Sequence, residues 1–286
     1  MILPASKQGT LESIVNDLKG IEHVAAIVLG GSHCTGMANE NSDLDIGIYY
    51  RQSHPFDIDQ IKIIARKHNI DEALTVTGFY EWGAWVNGGA WLNTISGEVD
   101  FVYRNIDQVL ATIEKSKNGI WENDYEQQPP YGFSSVIYLA ETYYCHPLYD
   151  PHHIIEKMKN EVAEYPIKLK NTIVQQALWS AEFTCWQADK FAQKQDMYNT
   201  AGCITRAMKN IIEALFALNE LYSIGDKYAI QQITQAPNCP PGIKEQMDDI
   251  LSIDTGTLTA KTAKLRSLFN QVVSRAGNMY QPYFGL

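Results

Sequence analysis

The segment richest in chemical potential runs from Val28 to Tyr50, VLGGSHCTGMANENSDLDIGIYY. An apolar run ends in Gly30-Gly31-Ser32, a spacer of ten residues follows, and Asp43-Leu44-Asp45 opens a second apolar run. In a strand, side chains two apart share a face, so Asp43 and Asp45 project together while Leu44 and Ile46 enter the core. Two carboxylates so close resist joint ionisation unless a cation neutralises them. Hard oxygen ligands of this kind suit Mg²⁺, which keeps several waters and takes the rest of its shell from substrate phosphates. The Gly-Gly-Ser turn lets backbone approach a polyphosphate and offers it N–H groups and a hydroxyl. Alone, a DxD reads first as a solvated strand end and a GGS as an ordinary turn. Their combination, between two strands at this spacing, points to chemistry.

The elements that must position this segment alternate between helix and strand. Thr10 caps a predicted helix whose apolar residues are Leu11, Ile14, Val15 and Leu18. His23 to Leu29 and Leu44 to Tyr50 read as strands, and Asp57 to His68 as a helix. Trp91 to Ile95 and Glu98 to Tyr103 form a predicted hairpin turning at Ser96-Gly97. A helix from Ile106 to about Lys117 closes this half. The aperiodic stretch Asn118 to Gly132 is the expected linker. Beyond it the pattern is almost entirely helical: Ser134 to Cys145, a start at Asp150-Pro151, Pro166 to about Gln193, about Asn199 to Tyr222, and Thr257 to Ala276. The expectation is an α+β protein, with an N-terminal α/β domain over 1–125 and a C-terminal helical bundle over 126–286.

With 23 Lys and Arg against 33 Asp and Glu, the net charge is −10. That disfavours a nucleic-acid backbone as main partner, because such binding depends on cationic side chains displacing counterions. It leaves room for a cationic small substrate or an acidic metal site. The 16 Tyr, 9 Phe and 6 Trp exclude large-scale disorder. Five scattered cysteines without a CxxC fit neither a disulfide framework nor a zinc site. No apolar run has the length of a signal peptide core or a spanning helix, so a soluble cytoplasmic protein is expected.

Strand, GGS, a ten-residue spacer and DxD together resemble the signature of the polymerase-β-like nucleotidyltransferase superfamily. Gly36 and Ser42 add similarity to small bacterial antibiotic-modifying nucleotidyltransferases and their uncharacterised relatives. The likeness continues through VNGGAWLNTISGEVDFVYR into the helical half. It implies an N-terminal nucleotidyltransferase domain with a mixed sheet. It also implies that Gly30, Gly31, Ser32, His33 and Ser42 bind the nucleotide, with His33 standing where relatives often have Arg. A histidine there meets a phosphate in a pH-dependent way, or sits on the loop surface. Asp43 and Asp45 would hold two divalent ions, Mg²⁺ or Mn²⁺. The family needs a third carboxylate from a later strand, and Asp100 is the candidate, as metal ligand or as base for the acceptor hydroxyl. Glu98 is expected in solvent. Two-domain members use basic groups of the helical domain against the triphosphate, which nominates Lys209 and Lys227, each also readable as solvated surface.

Trp82, Trp85 and Trp91 flank Asn87-Gly88-Gly89 and read as core packing for at least two of the three, or as walls of an acceptor pocket. His146, His152 and His153 lack metal-site spacing. The expected activity is transfer of a nucleoside monophosphate, from ATP or another nucleoside triphosphate, to a hydroxyl of a small molecule, with antibiotics of the aminoglycoside or lincosamide kind the class the resemblance implies, and with release of pyrophosphate. The rival expectations are nucleotidylation of a protein or RNA end, and nucleotide binding without catalysis.

Overall fold

The computed structural model describes residues 3–128, 130–252 and 257–282. The chain is α+β and divides into two compact units, Met1–Glu114 with Asn123–Glu164, and Lys115–Glu122 with Tyr165–Leu286. The sequence reading puts the junction at 125/126. By contacts, 123–164 goes with the first unit, because a strand just after the expected linker joins the first unit's sheet.

In the first unit, helix α1 (Ala5–Leu18) precedes β1 (Ala26–Leu29), the short α2 (Gly31–Thr35), β2 (Leu44–Tyr50), α3 (Ile58–His68), β3 (Thr75–Val76), β4 (Gly89–Thr94), β5 (Gly97–Asn105) and α4 (Ile106–Lys117). Then come β6 (Asn123–Asp124), β7 (Phe133–Ser134), α5 (Val136–Tyr144), β8 (His146–Tyr149) and α6 (Ile154–Glu161). Six strands form a mixed sheet in the order β3-β4-β5-β2-β1-β8, and β6 pairs with β7. Among the described residues, only β2 and β5 pair in parallel within the large sheet.

Alternation in β2 and β5 sends Leu44, Ile46, Ile48, Val99, Phe101 and Tyr103 into one core with Leu11, Ile14 and Leu18 of α1 and Ile61 and Ala65 of α3. Asp57 caps α3 by accepting the Asp59 N–H. Three local expectations need correction. Helix α1 starts at Ala5, after Pro4, so Thr10 lies inside it, and its hydroxyl meets Ser96 Oγ at 2.7 Å instead of capping. The hairpin register pairs Thr94 with Gly97, which places Ile95-Ser96 at the turn; Gly97 takes φ +108°. Helix α6 begins at Ile154, three residues after Pro151. Asp150 still anchors it, accepting from the N–H groups of Ile154, Ile155 and Glu156.

The second unit is helical: α7 (Ile167–Gln193), α8 (Met197–Leu218), α9 (Ala229–Ile233), α10 (Ile243–Leu251) and α11 (Leu258–Ala276). Helix α7 packs along α8 and α11, burying Ile173, Leu178 and Cys185 against a core that includes Ile211, Leu215, Leu265 and Phe269. Its buried Glu182 accepts a hydrogen bond from Tyr280. No helix among the described residues is long and apolar enough to cross a membrane.

Candidate active site

Parallel pairing of β2 with β5 sets Asp45 directly beside Asp100. Adjacent strands lie about 4.8 Å apart and register partners share a face, so the two carboxylates leave the sheet together, opposite the core side chains. Both residues are partly exposed. The antiparallel β4 continues the row by pairing Trp91 with Asp100. The indole of Trp91 stacks on that of Trp82, with ring centroids 4.1 Å apart at 22°, and Trp82 remains 46% exposed. Trp85 instead stacks on Phe133, 5.4 Å away, and its carbonyl accepts the Tyr138 hydroxyl. Glu98 is exposed.

On the other side of Asp45 stands the glycine turn. The Gly30 N–H donates to the Asp45 carbonyl at 2.8 Å. Gly31 takes φ +60°, and a Cβ there would fall 1.6 Å from Asp45 Oδ2. Glycine is therefore demanded twice at this position, by the left-handed backbone and by the carboxylate packed over it. Ser32 and His33 follow in α2, both partly exposed. Cys34 donates to the Leu29 carbonyl. Burial pushes its thiol up, outweighing the opposing pull of the His146 backbone and the Lys159 charge, so this cysteine is held as a neutral thiol.

Asp43 precedes the first residue of β2 and is partly exposed, outside the ladder that fixes Asp45. Its loop folds through a turn in which the Asn39 N–H donates to Ser42 Oγ and the Asn41 N–H to Asn39 Oδ1. His33 Nε2 lies 3.4 Å from the Ser42 carbonyl oxygen.

Further along the same face, Tyr49 sits in register with Arg104. Arg104 is 6% exposed and makes a bidentate pair with Glu141 of α5, both bonds at 2.6 Å. Burial alone would lower its affinity for a proton, but the Glu141 charge and hydrogen bonds outweigh it and hold the guanidinium charged. The sequence reading missed this pair, because a strand-end Arg and a mid-helix Glu each look solvated.

The two basic candidates lie in the second unit. Lys209 is 9% exposed, donates to Glu213 one helical turn on at 2.5 Å, and stands 5.8 Å from the Trp121 ring centre. Burial raises the Glu213 pKa against the opposing pull of Lys209. Lys227 is exposed, 5.7 Å from the ring of Tyr228. His153 pairs with Glu156 on the surface.

The donor set around Asp45 consists of carboxylates, which suits a divalent ion of the Mg²⁺ kind. Among the described residues, no group of three His, Cys, Asp or Glu side chains is disposed to hold a metal by itself. An ion held by two strand-borne acids would therefore complete its shell from substrate phosphate and water, as Mg²⁺ commonly does.

Residues 10–79 match the family model described as nucleotidyltransferase domain, a span that contains Gly30 to Asp45 and leaves Asp100 outside. Among solved structures, the nucleotidyltransferase-like protein from Exiguobacterium sibiricum 255-15 is similar, with a TM-score of 0.45 at 8% identity over 96% of this chain and 77% of that one. No curated protein matches the chain.

Proposed function

We propose, from residues 10–79 that match the nucleotidyltransferase-domain family and a motif that resembles the polymerase-β-like superfamily, that the protein transfers AMP from ATP to a hydroxyl of a small-molecule acceptor and releases pyrophosphate. The observation that carries this reading is the register of Asp45 with Asp100 beside the Gly30-Gly31 turn. A phosphoryl-transfer site has little covalent work to do and depends on positioning and charge. The row across the sheet offers both.

In this reading Asp43, Asp45 and Asp100 hold two Mg²⁺ or Mn²⁺ ions. When bound, such ions neutralise charge on the phosphates and lower the pKa of a coordinated hydroxyl. Backbone N–H groups at Gly31 and Ser32, with the hydroxyls of Ser32 and Ser42, take the β- and γ-phosphate oxygens, and His33 adds a pH-dependent contact. Displacement at phosphorus runs in line, so the acceptor enters opposite the leaving pyrophosphate. With pyrophosphate at the glycine turn, the acceptor falls on the far side of Asp100. There Asp100 takes or orients the acceptor proton, and the Trp82–Trp91 stack borders the acceptor. An acidic surface and stacked indoles favour a cationic acceptor with a flat or C–H-rich face, of the aminoglycoside or lincosamide kind.

The test is a screen of acceptors with α-labelled ATP and Mg²⁺ or Mn²⁺, following label transfer and pyrophosphate. Transfer to a small molecule is the expected result. Label on protein or RNA alone, or ATP binding without any pyrophosphate release, would refute the reading.

A further inference from the structure

The helix that opens the chain contributes one buried charge with no part in the reading so far. Lys7 of α1 is only 7% exposed, in a residue type seldom buried without partners. Its ammonium donates to the carbonyl oxygens of Ser42, at 2.5 Å, and of Glu40, at 3.1 Å. The Ser42 carbonyl belongs to the peptide that joins Ser42 to Asp43, so fixing that oxygen fixes the peptide plane from which Asp43 projects. Asp45 needs no such help, since its backbone is laddered to Gly30 on one side and to β5 on the other. Residues 38–41 are exposed, and the strand begins only at Leu44. Lys7 reaches this loop from more than thirty residues away in sequence and lies before the matched nucleotidyltransferase span.

We propose that Lys7 is a positioning residue for the divalent-ion site: it clamps the loop carbonyls and so holds Asp43 where it completes the pair with Asp45. This rests on the reading that Asp43 and Asp45 hold a divalent ion. The clamp acts through backbone, so it sets metal affinity without touching nucleotide. Partners that orient metal ligands typically govern metal affinity by roughly 10- to 100-fold.

The experiment uses the full chain and Mn²⁺ as a spectroscopic probe, titrated by electron paramagnetic resonance in the presence of excess α,β-methylene-ATP. Lys7→Met should raise the half-saturating Mn²⁺ concentration by about tenfold or more. Affinity for tripolyphosphate without metal should stay within twofold. Lys7→Arg, which can still donate to two carbonyls, should recover most of the Mn²⁺ affinity, and Lys7→Gln should fall between. A merely structural lysine would lower Tm and leave the Mn²⁺ midpoint at its wild-type value, which overturns the proposal. Loss of tripolyphosphate binding in Lys7→Met also overturns it, by making Lys7 a direct phosphate ligand. If Lys7→Met does not fold, Lys7→Gln decides by the same midpoint. Wild-type protein that binds no Mn²⁺ with the nucleotide refutes the proposed function itself, whereas normal wild-type binding with unchanged variants refutes only the clamp.

Discussion

Strands β2 and β5 carry charge at both ends of one face, and the two ends treat it differently. At the leading end, Asp45 and Asp100 have like charge, lie in register and stay partly exposed. Four residues on, Arg104 beside Tyr49 is buried and answered by Glu141 of α5 through two short hydrogen bonds. A buried charge persists only with a partner of opposite sign, so the trailing end is complete as a fold. Side-by-side acids at a strand end are favoured when a cation joins them, which is the role proposed above for the leading end. On that proposal, one backbone ladder supports a structural ion pair and a binding site about four residues apart.

The largest expected effect lies at the leading end. Asp45→Asn should lower turnover by at least about 10²-fold, because a metal's charge stabilisation contributes several kcal/mol and each ~1.4 kcal/mol is a factor of ten. Its Tm should hold or rise, since a like-charge neighbour has been removed. Steady-state rates and thermal melts check both halves. Wild-type turnover in Asp45→Asn would erase the distinction between the two ends.

At the trailing end the ranking should invert. Arg104→Met leaves Glu141 without its partner and should cost about 2–3 kcal/mol of stability, toward the low side for buried pairs because the Glu141 side chain keeps 28% exposure. Replacing both, as Arg104→Met with Glu141→Leu, should recover most of that loss in urea denaturation. Per folded molecule, ATP·Mn²⁺ affinity should change less than threefold.

A smaller effect sharpens the comparison at the glycine turn. Gly31→Ala forces alanine into left-handed backbone, costing about 1 kcal/mol. The new Cβ also displaces the Asp45 carboxylate, which can rotate because it is the far end of a side chain. Stability should fall modestly while turnover drops by about tenfold or more. A large Tm loss with normal turnover in the surviving folded fraction would show that Asp45 need not stay where it is.

Much of this was legible in the sequence where pattern and geometry coincide. Strand β2 has the bounds expected of it, Leu44–Tyr50, and Asp100 lies between the buried Val99 and Phe101 of β5, so alternation turns it away from the core. Strand β8 was not legible: His146-Pro147-Leu148-Tyr149 is a four-residue edge strand with a proline, and it shows only through pairing with β1. Lys7 was invisible for another reason. A lysine on a helix reads as solvated, and its two carbonyl partners lie thirty-three and thirty-five residues away. The Lys209–Glu213 pair, by contrast, has the i,i+4 spacing of a helical ion pair and could have been found.

The smallest expected effect is a control on the opposite side of the sheet, where α1 and α3 pack. Asp17 accepts from Lys67 Nζ at 2.7 Å and lies 2.7 Å from His68 Nε2. Burial pushes its carboxyl up, but the hydrogen bonds and charges of Lys67 and His68 outweigh that and lower the pKa overall. A carboxylate with a lowered folded-state pKa adds stability above its unfolded value, near pH 4, and loses it as pH falls through the lower folded value. Asp17→Asn should therefore cost about 0.5–1 kcal/mol at pH 7, discounted because Lys67 is 58% exposed. The gap to wild type should close as pH drops below about 4, with urea midpoints at pH 7, 5 and 3 as the measure. Turnover at pH 7 should match wild type, because Asp17 is about 15 Å along α1 from Lys7, at a rise of 1.5 Å per residue. A fall in turnover without a fall in stability would mean that α1 transmits strain along its length to Lys7 and the Asp43 loop. A gap that widens on acidification would mean that Asp17 is strained in the fold and not held there by its cations.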